Sequence, residues 1–147
     1  MQISTKSTIA IHVLTAVRYF SGNYKVTSDF LAGSVGNNPV IIRNIMSQLR
    51  EAGVIDIKRG PGGITLTRPL TEITFLDVYQ AVEKKPDESL FHFHEHPNDK
   101  CPVGRNIHQS LEGILDDIQQ KFEEELQKHT LQDVYDRAVQ AISHEAM

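Results

Sequence analysis

The stretch from residue 38 to residue 67 constrains this chain more than any other. Residues 39–52 place Ile42, Ile45, Met46 and Leu49 at i, i+3, i+4 and i+7, which is one aliphatic face of a helix. Asn38 is suited to cap the free amides at its start, and Pro39 fits the first helical position, where its missing N–H costs nothing. Gly53 ends the helix. Residues 54–57 and 64–67 then read as two short strands. Between them, Lys58-Arg59-Gly60-Pro61-Gly62-Gly63 makes a flexible, basic hairpin tip. A helix tied so closely to a hairpin must bury its aliphatic side on its own domain. Its other side, with Val40, Arg43, Asn44, Ser47 and Gln48, is then left to solvent.

Two helices are predicted upstream. Over residues 4–20, Ala10, Val13, Leu14 and Val17 repeat at helical spacing, and Ile9, Ala16 and Phe20 widen the stripe. Ser21-Gly22-Asn23 supplies the stop. A shorter helix starts at Thr27 or Ser28 and runs through Phe30, Leu31 and Ala32 to a turn at Val35-Gly36-Asn37-Asn38. The order of helix, helix, turn, helix and hairpin is that of a winged helix-turn-helix. The expected fold class is therefore mainly α, with a two-stranded β wing and a long C-terminal helix.

That order gives the exposed side chains a chemistry. Arg43 can pair with guanine O6 and N7, and Asn44 with adenine N6 and N7. Lys58 and Arg59 can neutralise phosphates or enter a minor groove, while Gly60 and Gly62 let the backbone approach the phosphate wall. Asn38, Val40, Ser47 and Gln48 complete the expected DNA-contacting set. Charge is divided accordingly. Residues 1–75 hold eight Lys and Arg against four Asp and Glu; residues 76–147 hold seven against fifteen. The net charge of −4 thus conceals a basic front half and an acidic rear half.

At 147 residues the chain suffices for one domain with an extension. Its longest uncharged apolar run, residues 7–17, falls short of the roughly 20 residues of a spanning helix. No basic leader, apolar block and cleavage site are recognisable at the N-terminus, so a cytoplasmic location is expected. Nothing resembles a nucleophile–base pair or a phosphate-cradling loop, since Gly60 to Gly63 lead into a strand. No enzyme is expected.

Further on, Thr74 caps a helix over residues 75–83 built on Phe75, Val78, Tyr79 and Val82. Residues 85–105, with Pro86, Pro97 and Pro102, read as a loop. Residues 106–128 form the longest helix, striped by Ile107, Leu111, Ile114, Leu115, Ile118, Phe122 and Leu126. Thr130-Leu131-Gln132-Asp133 opens a short amphipathic helix carrying Leu131, Val134, Ala138 and Ile142. His12 and His129 read as structural, and His144 as tail.

The run Ser4-Thr5-Lys6, the turn and helix over 36–50, Ala52-Gly53, the wing Arg59-Gly60-Pro61-Gly62-Gly63, and Glu72-Ile73-Thr74 with Asp77-Val78 resemble the Rrf-two (Rrf2) family of bacterial regulators, the IscR-, NsrR- and CymR-like proteins. The resemblance spans nearly the whole chain and is most specific at the wing. It implies a homodimer paired through the helix at 106–128 and bound to a double-stranded DNA operator, with repression as the expected outcome. It also implies a division into a DNA-binding unit at 1–84, a sensor loop at 85–105 and a dimerisation segment at 106–147. Arg43 and Asn44 stand where IscR-like members carry Glu and Gln, which implies a different operator.

Many members hold an iron–sulfur cluster on three cysteines of that loop. This chain has Cys101 alone, with Gly104 where IscR-like members carry a histidine. A three-cysteine cluster is not expected, and no cofactor is assigned. Cys101 is instead a candidate redox thiol, because Lys100, Arg105 and the next helix start can stabilise a thiolate. A packed, idle thiol is the alternative. His92, His94, His96, Cys101 and His108 are candidate metal ligands; on an extended segment the three alternating imidazoles would share one side. They lack the CxxC spacing of strong zinc sites, and a solvated His-rich loop remains the other reading. A winged-helix protein–protein adaptor without sequence-specific DNA binding stays open as the alternative function.

Overall fold

The structure, a computed structural model, describes residues 4–58, 63–83 and 89–145. Helix α1, Thr5–Phe20, is capped by the Ser4 hydroxyl, which accepts from the Lys6 amide. Its buried positions, Ile9, Ala10, Val13, Leu14, Ala16 and Val17, are those its periodicity marks. Helix α2, Ser28–Val35, starts where the Thr27 hydroxyl accepts from the Phe30 amide, and stops at Gly36, whose φ of 76° only glycine adopts freely. Helix α3, Pro39–Glu51, begins with Asn38 Oδ1 accepting the Val40 amide at 2.8 Å. It buries Ile42, Ile45, Met46 and Leu49.

The wing is an antiparallel pair of β1, Ile55–Lys58, and β2, Gly63–Leu66. Ile55 faces Leu66 and Lys58 faces Gly63. Each strand lies one residue from its expected bounds, within the usual uncertainty of element ends. Helix α4, Phe75–Val82, carries a full capping box between Thr74 and Asp77. Arg68 ties it to the wing exit, donating to the Glu72 carbonyl at 3.0 Å and pairing with Asp77 at 3.1 Å. Helix α5, Ile107–Gln127, and helix α6, Leu131–Glu145, complete the chain. At 15 residues α6 is longer than the short helix expected. Beyond Leu131 its apolar positions are half-buried at Val134 and Ala138 and exposed at Ile142, and so thin a stripe does not disclose its length.

One core serves the whole assembly. Leu14, Leu31, Ile42, Ile45, Leu49, Ile55, Leu70, Ile73 and Leu131 are fully enclosed, and no polar side chain is buried among the described residues. Helix α1 runs through the centre, touching α2, α3, α4, α6 and β2. The C-terminal segment is fastened to the front by backbone. The Phe75 amide donates to the His129 carbonyl, and the Leu131 amide to the Ile73 carbonyl, both at 2.9 Å, across a bridge between Thr74 and Thr130.

Gly63 is demanded by this packing. It sits at φ 61°, and a Cβ there would lie 2.7 Å from the Val26 carbonyl oxygen, beside the 3.0 Å bond from the Ile64 amide to that same oxygen. Gly33, in the middle of α2, meets nothing within 4 Å. Urea denaturation should therefore show Gly63→Ala losing about 1–3 kcal/mol, and Gly33→Ala gaining about 0.5–1 kcal/mol. Equal midpoints for the two variants would contradict the assigned close approach at Val26.

Candidate nucleic-acid interface

Once α3 seats Ile42, Ile45 and Leu49 in the core, its opposite side is fixed in space. Arg43, Asn44 and Ser47 are exposed there, Gln48 is half-buried, and Val40 is 52% exposed despite its apolar side chain. Asn38 is exposed too, but its side-chain oxygen is spent on the cap. Lys58, at the end of β1, is exposed on the wing. Arg59, Gly60 and Gly62 lie outside the described residues.

A groove runs along each side of α3. One, of about 430 Å³, is lined by Asn44, Ser47 and Gln48 together with Ile41 and, from α1, Lys6. The other, of about 310 Å³, lies between α2 and the wing and brings Lys25 and Lys58 together beside Thr27 and Ser28. Lys6 and Lys25 were missed in the sequence. Lys6 follows the α1 cap by two residues and Lys25 immediately precedes Val26; only the fold reveals that both flank α3. The arrangement has the chemistry a duplex calls for: a polar helix face with lysines in the two grooves that border it.

The loop candidates gather differently. Residues 89–98 hold no regular strand, and His96 turns to φ 57°, so the alternation of His92, His94 and His96 does not carry through to a common side. His108 Nε2 lies 2.9 Å from the His94 carbonyl oxygen, and its ring also contacts Phe93. The Leu90 amide donates to Gln119 Oε1 at 2.8 Å, so this segment lies along α5. Cys101 is half-buried in the turn before α5; its amide donates to the Asn98 carbonyl and its carbonyl accepts from the Arg105 amide.

Comparison with known proteins places the whole arrangement. The sequence profile of Rrf2, described as iron-dependent transcriptional regulator, matches residues 3–137. The chain belongs to the Rrf2 family. YwnA of Bacillus subtilis (strain 168), provisionally named an HTH-type transcriptional regulator, is 37% identical over 132 residues, covering 90% of this chain and 96% of YwnA. A crystal structure described provisionally as that of a DNA binding protein is 31% identical with a TM-score of 0.68, covering 88% of this chain and 97% of that one. The fold is also that of CymR, titled the global cysteine regulator of B. subtilis, at 21% identity and a TM-score of 0.67, with coverage of 92% and 97%. This Rrf2 chain is a winged-helix transcription regulator and not an enzyme. No helix among the described residues is long and apolar enough to cross a membrane.

The iron of the family's description does not fit the donors present. Cys101 is the sole thiol, and no group of three or more His, Cys, Asp or Glu side chains among the described residues is placed to hold a metal ion. At Gly104 a Cβ would lie 2.3 Å from the Asn98 carbonyl oxygen, so the loop is closed against the histidine that IscR-like members carry.

Removing the α3 cap tests how far this surface depends on local order. Asn38→Ala should cost about 1 kcal/mol in thermal or urea unfolding. Amide exchange should speed up in the first turn of α3 while α1 keeps its protection; uniform loss of protection across both helices would contradict it.

Proposed function

We propose that this Rrf2 regulator is a homodimeric repressor that reads a two-part operator through α3 and grips its backbone with the wing. The observation that carries the dimer is α5. Its 21 residues include none that is buried in the protomer, and Ile114 and Ile118 on its apolar stripe are 61% and 42% exposed. Phe122 packs edge-on against Tyr79 of α4, so the lower part of the stripe is covered while the upper part faces outward. A second copy of the same helix is a self-complementary cover for such a stripe. Two copies would present two α3 helices, as a dyad operator requires.

Sequence reading is assigned to Arg43 and Asn44, with Val40, Ser47 and Gln48 beside them and Asn38 at the helix entrance. Backbone grip is assigned to Lys58, Arg59, Gly60 and Gly62. A bidentate Arg or Asn pair contributes about 1–3 kcal/mol of discrimination. Repression needs no further contact, since a seated dimer occludes the promoter. The chain then divides as 1–84 for DNA, 85–105 for sensing and 106–147 for pairing. Cys101 is the proposed signal receiver: oxidation of its thiolate by peroxide to the sulfenic acid would alter a turn whose loop rests on α5, next to the dimer stripe.

Operator fragments selected from genomic DNA should bind with affinity falling steeply as salt rises, and Lys58→Ala should flatten the log–log slope by about 0.9. Arg43→Ala should relax preference at one base pair, while Arg59→Ala should weaken all sequences alike. An adaptor protein would select no DNA, and an unchanged slope would remove Lys58 from the interface.

Ile114→Asp combined with Ile118→Asp should sediment as a folded monomer and lose operator affinity. A dimer persisting in that variant would overturn α5 as the interface. Cys101→Ser should bind the operator normally but ignore peroxide; peroxide sensitivity retained in that variant would exclude the thiol as receiver.

A further inference from the structure

A cleft of about 180 Å³ opens between α1, α2 and α6, away from the α3 face and from the outward stripe of α5. Its walls are mostly apolar, with the rings of Tyr19, Phe20 and Tyr135 and the methyl of Ala138. At one end His12 Nε2 and Ser34 Oγ are 2.9 Å apart, joining α1 to α2. No lining residue is acidic, and the Arg18 guanidinium lies over the Tyr135 ring, 4.8 Å from its centroid. An apolar cavity of ~150 Å³ suffices to bind benzene. The lining thus offers a slot for one ring and two polar groups at one end, with the Arg18 cation on the Tyr135 ring outside the lining, and none of these residues belongs to the α3 face or to the outward stripe of α5.

We propose that this cleft binds a small aromatic carboxylate, of the size of benzoate, as an effector of DNA binding. The ring lies among Tyr19, Phe20 and Tyr135, the last of which also carries the Arg18 guanidinium, and the carboxylate accepts a hydrogen bond from the His12–Ser34 end. The effect on DNA follows from where the walls come from. Helix α2 leads through the Gly36 turn into α3, and α6 belongs to the segment fastened behind α4. A molecule seated between them bears on the angle at which α3 meets the duplex. A ligand whose affinity differs between the two settings shifts their populations. The binding half of the proposal stands alone; the effector half rests on DNA reading as proposed above.

Sodium benzoate is the probe, titrated into the whole 147-residue chain while the Ala16 and Ala138 methyl signals are followed by NMR. Benzyl alcohol and sodium acetate serve as neutral and ringless controls. Saturable shifts are expected with benzoate, with about tenfold weaker binding or worse for each control. Ala138→Phe, which fills the slot, should abolish the shifts; Ile142→Phe at the exposed rim does the same should the first variant fail to fold. Saturation should change operator affinity by about threefold or more in the native protein and leave the filled variants unaffected. Shifts that never saturate, equal binding of benzyl alcohol, filled variants that bind as the native protein does, or operator affinity unchanged at full occupancy would each overturn the proposal. A protein that selects no DNA refutes the DNA-reading function alone, because the methyl titration still decides what the cleft binds.

Discussion

What α3 exposes is fixed by what it buries. Ile42, Ile45, Met46 and Leu49 lock one side of the helix into a core shared with α1 and β1, and the rotation of 100° per residue leaves Arg43, Asn44 and Ser47 no choice but to face outward. The same burial positions the wing, because Ile55 and Ile64 belong to that core and Gly63 is pressed against the Val26 carbonyl. The exposed face of α3 therefore owes its shape to apolar packing, which is strong and non-directional. Its polar residues are free to be chosen for contact. On the proposed reading, replacement of Arg43 or Asn44 would change what is read without disturbing how the helix is held.

The acidic rear half supports this division. Nine of its fifteen carboxylates lie on α5 and α6, and the charged residues lining the two grooves at α3 are Lys6, Lys25 and Lys58. On the proposed reading, a polyanion would be drawn to the α3 face by these lysines. The two halves are nonetheless coupled, through the Thr74–Thr130 bridge and the packing of α6 on α1. A change at the rear thus has a short mechanical route to the front.

Much of the fold was legible because its signals are local. Caps at Thr27, Asn38 and Thr74, the stops at Gly36 and Gly53, and the aliphatic spacing of α1 and α3 name their own elements. What escaped depends on contacts between distant residues. The close approach of Gly63 to Val26 and of Gly104 to Asn98 leaves no mark in a periodicity. Lys6 and Lys25 become neighbours of α3 only after the helices pack. The alternation of His92, His94 and His96 suggested a common side, but the loop turns at His96 and lies along α5 instead. Helix α6 was underestimated because its stripe meets α1 on a narrow front.

The central claim, two copies of α3 on one duplex, is tested most directly by methylation-interference mapping of a selected operator at known stoichiometry. The account predicts two protein chains per duplex and two major-groove patches of interference, related by a dyad and spaced by about 10–10.5 base pairs or a multiple of that turn. A single patch bound by one chain, or interference confined to the minor groove, would contradict it.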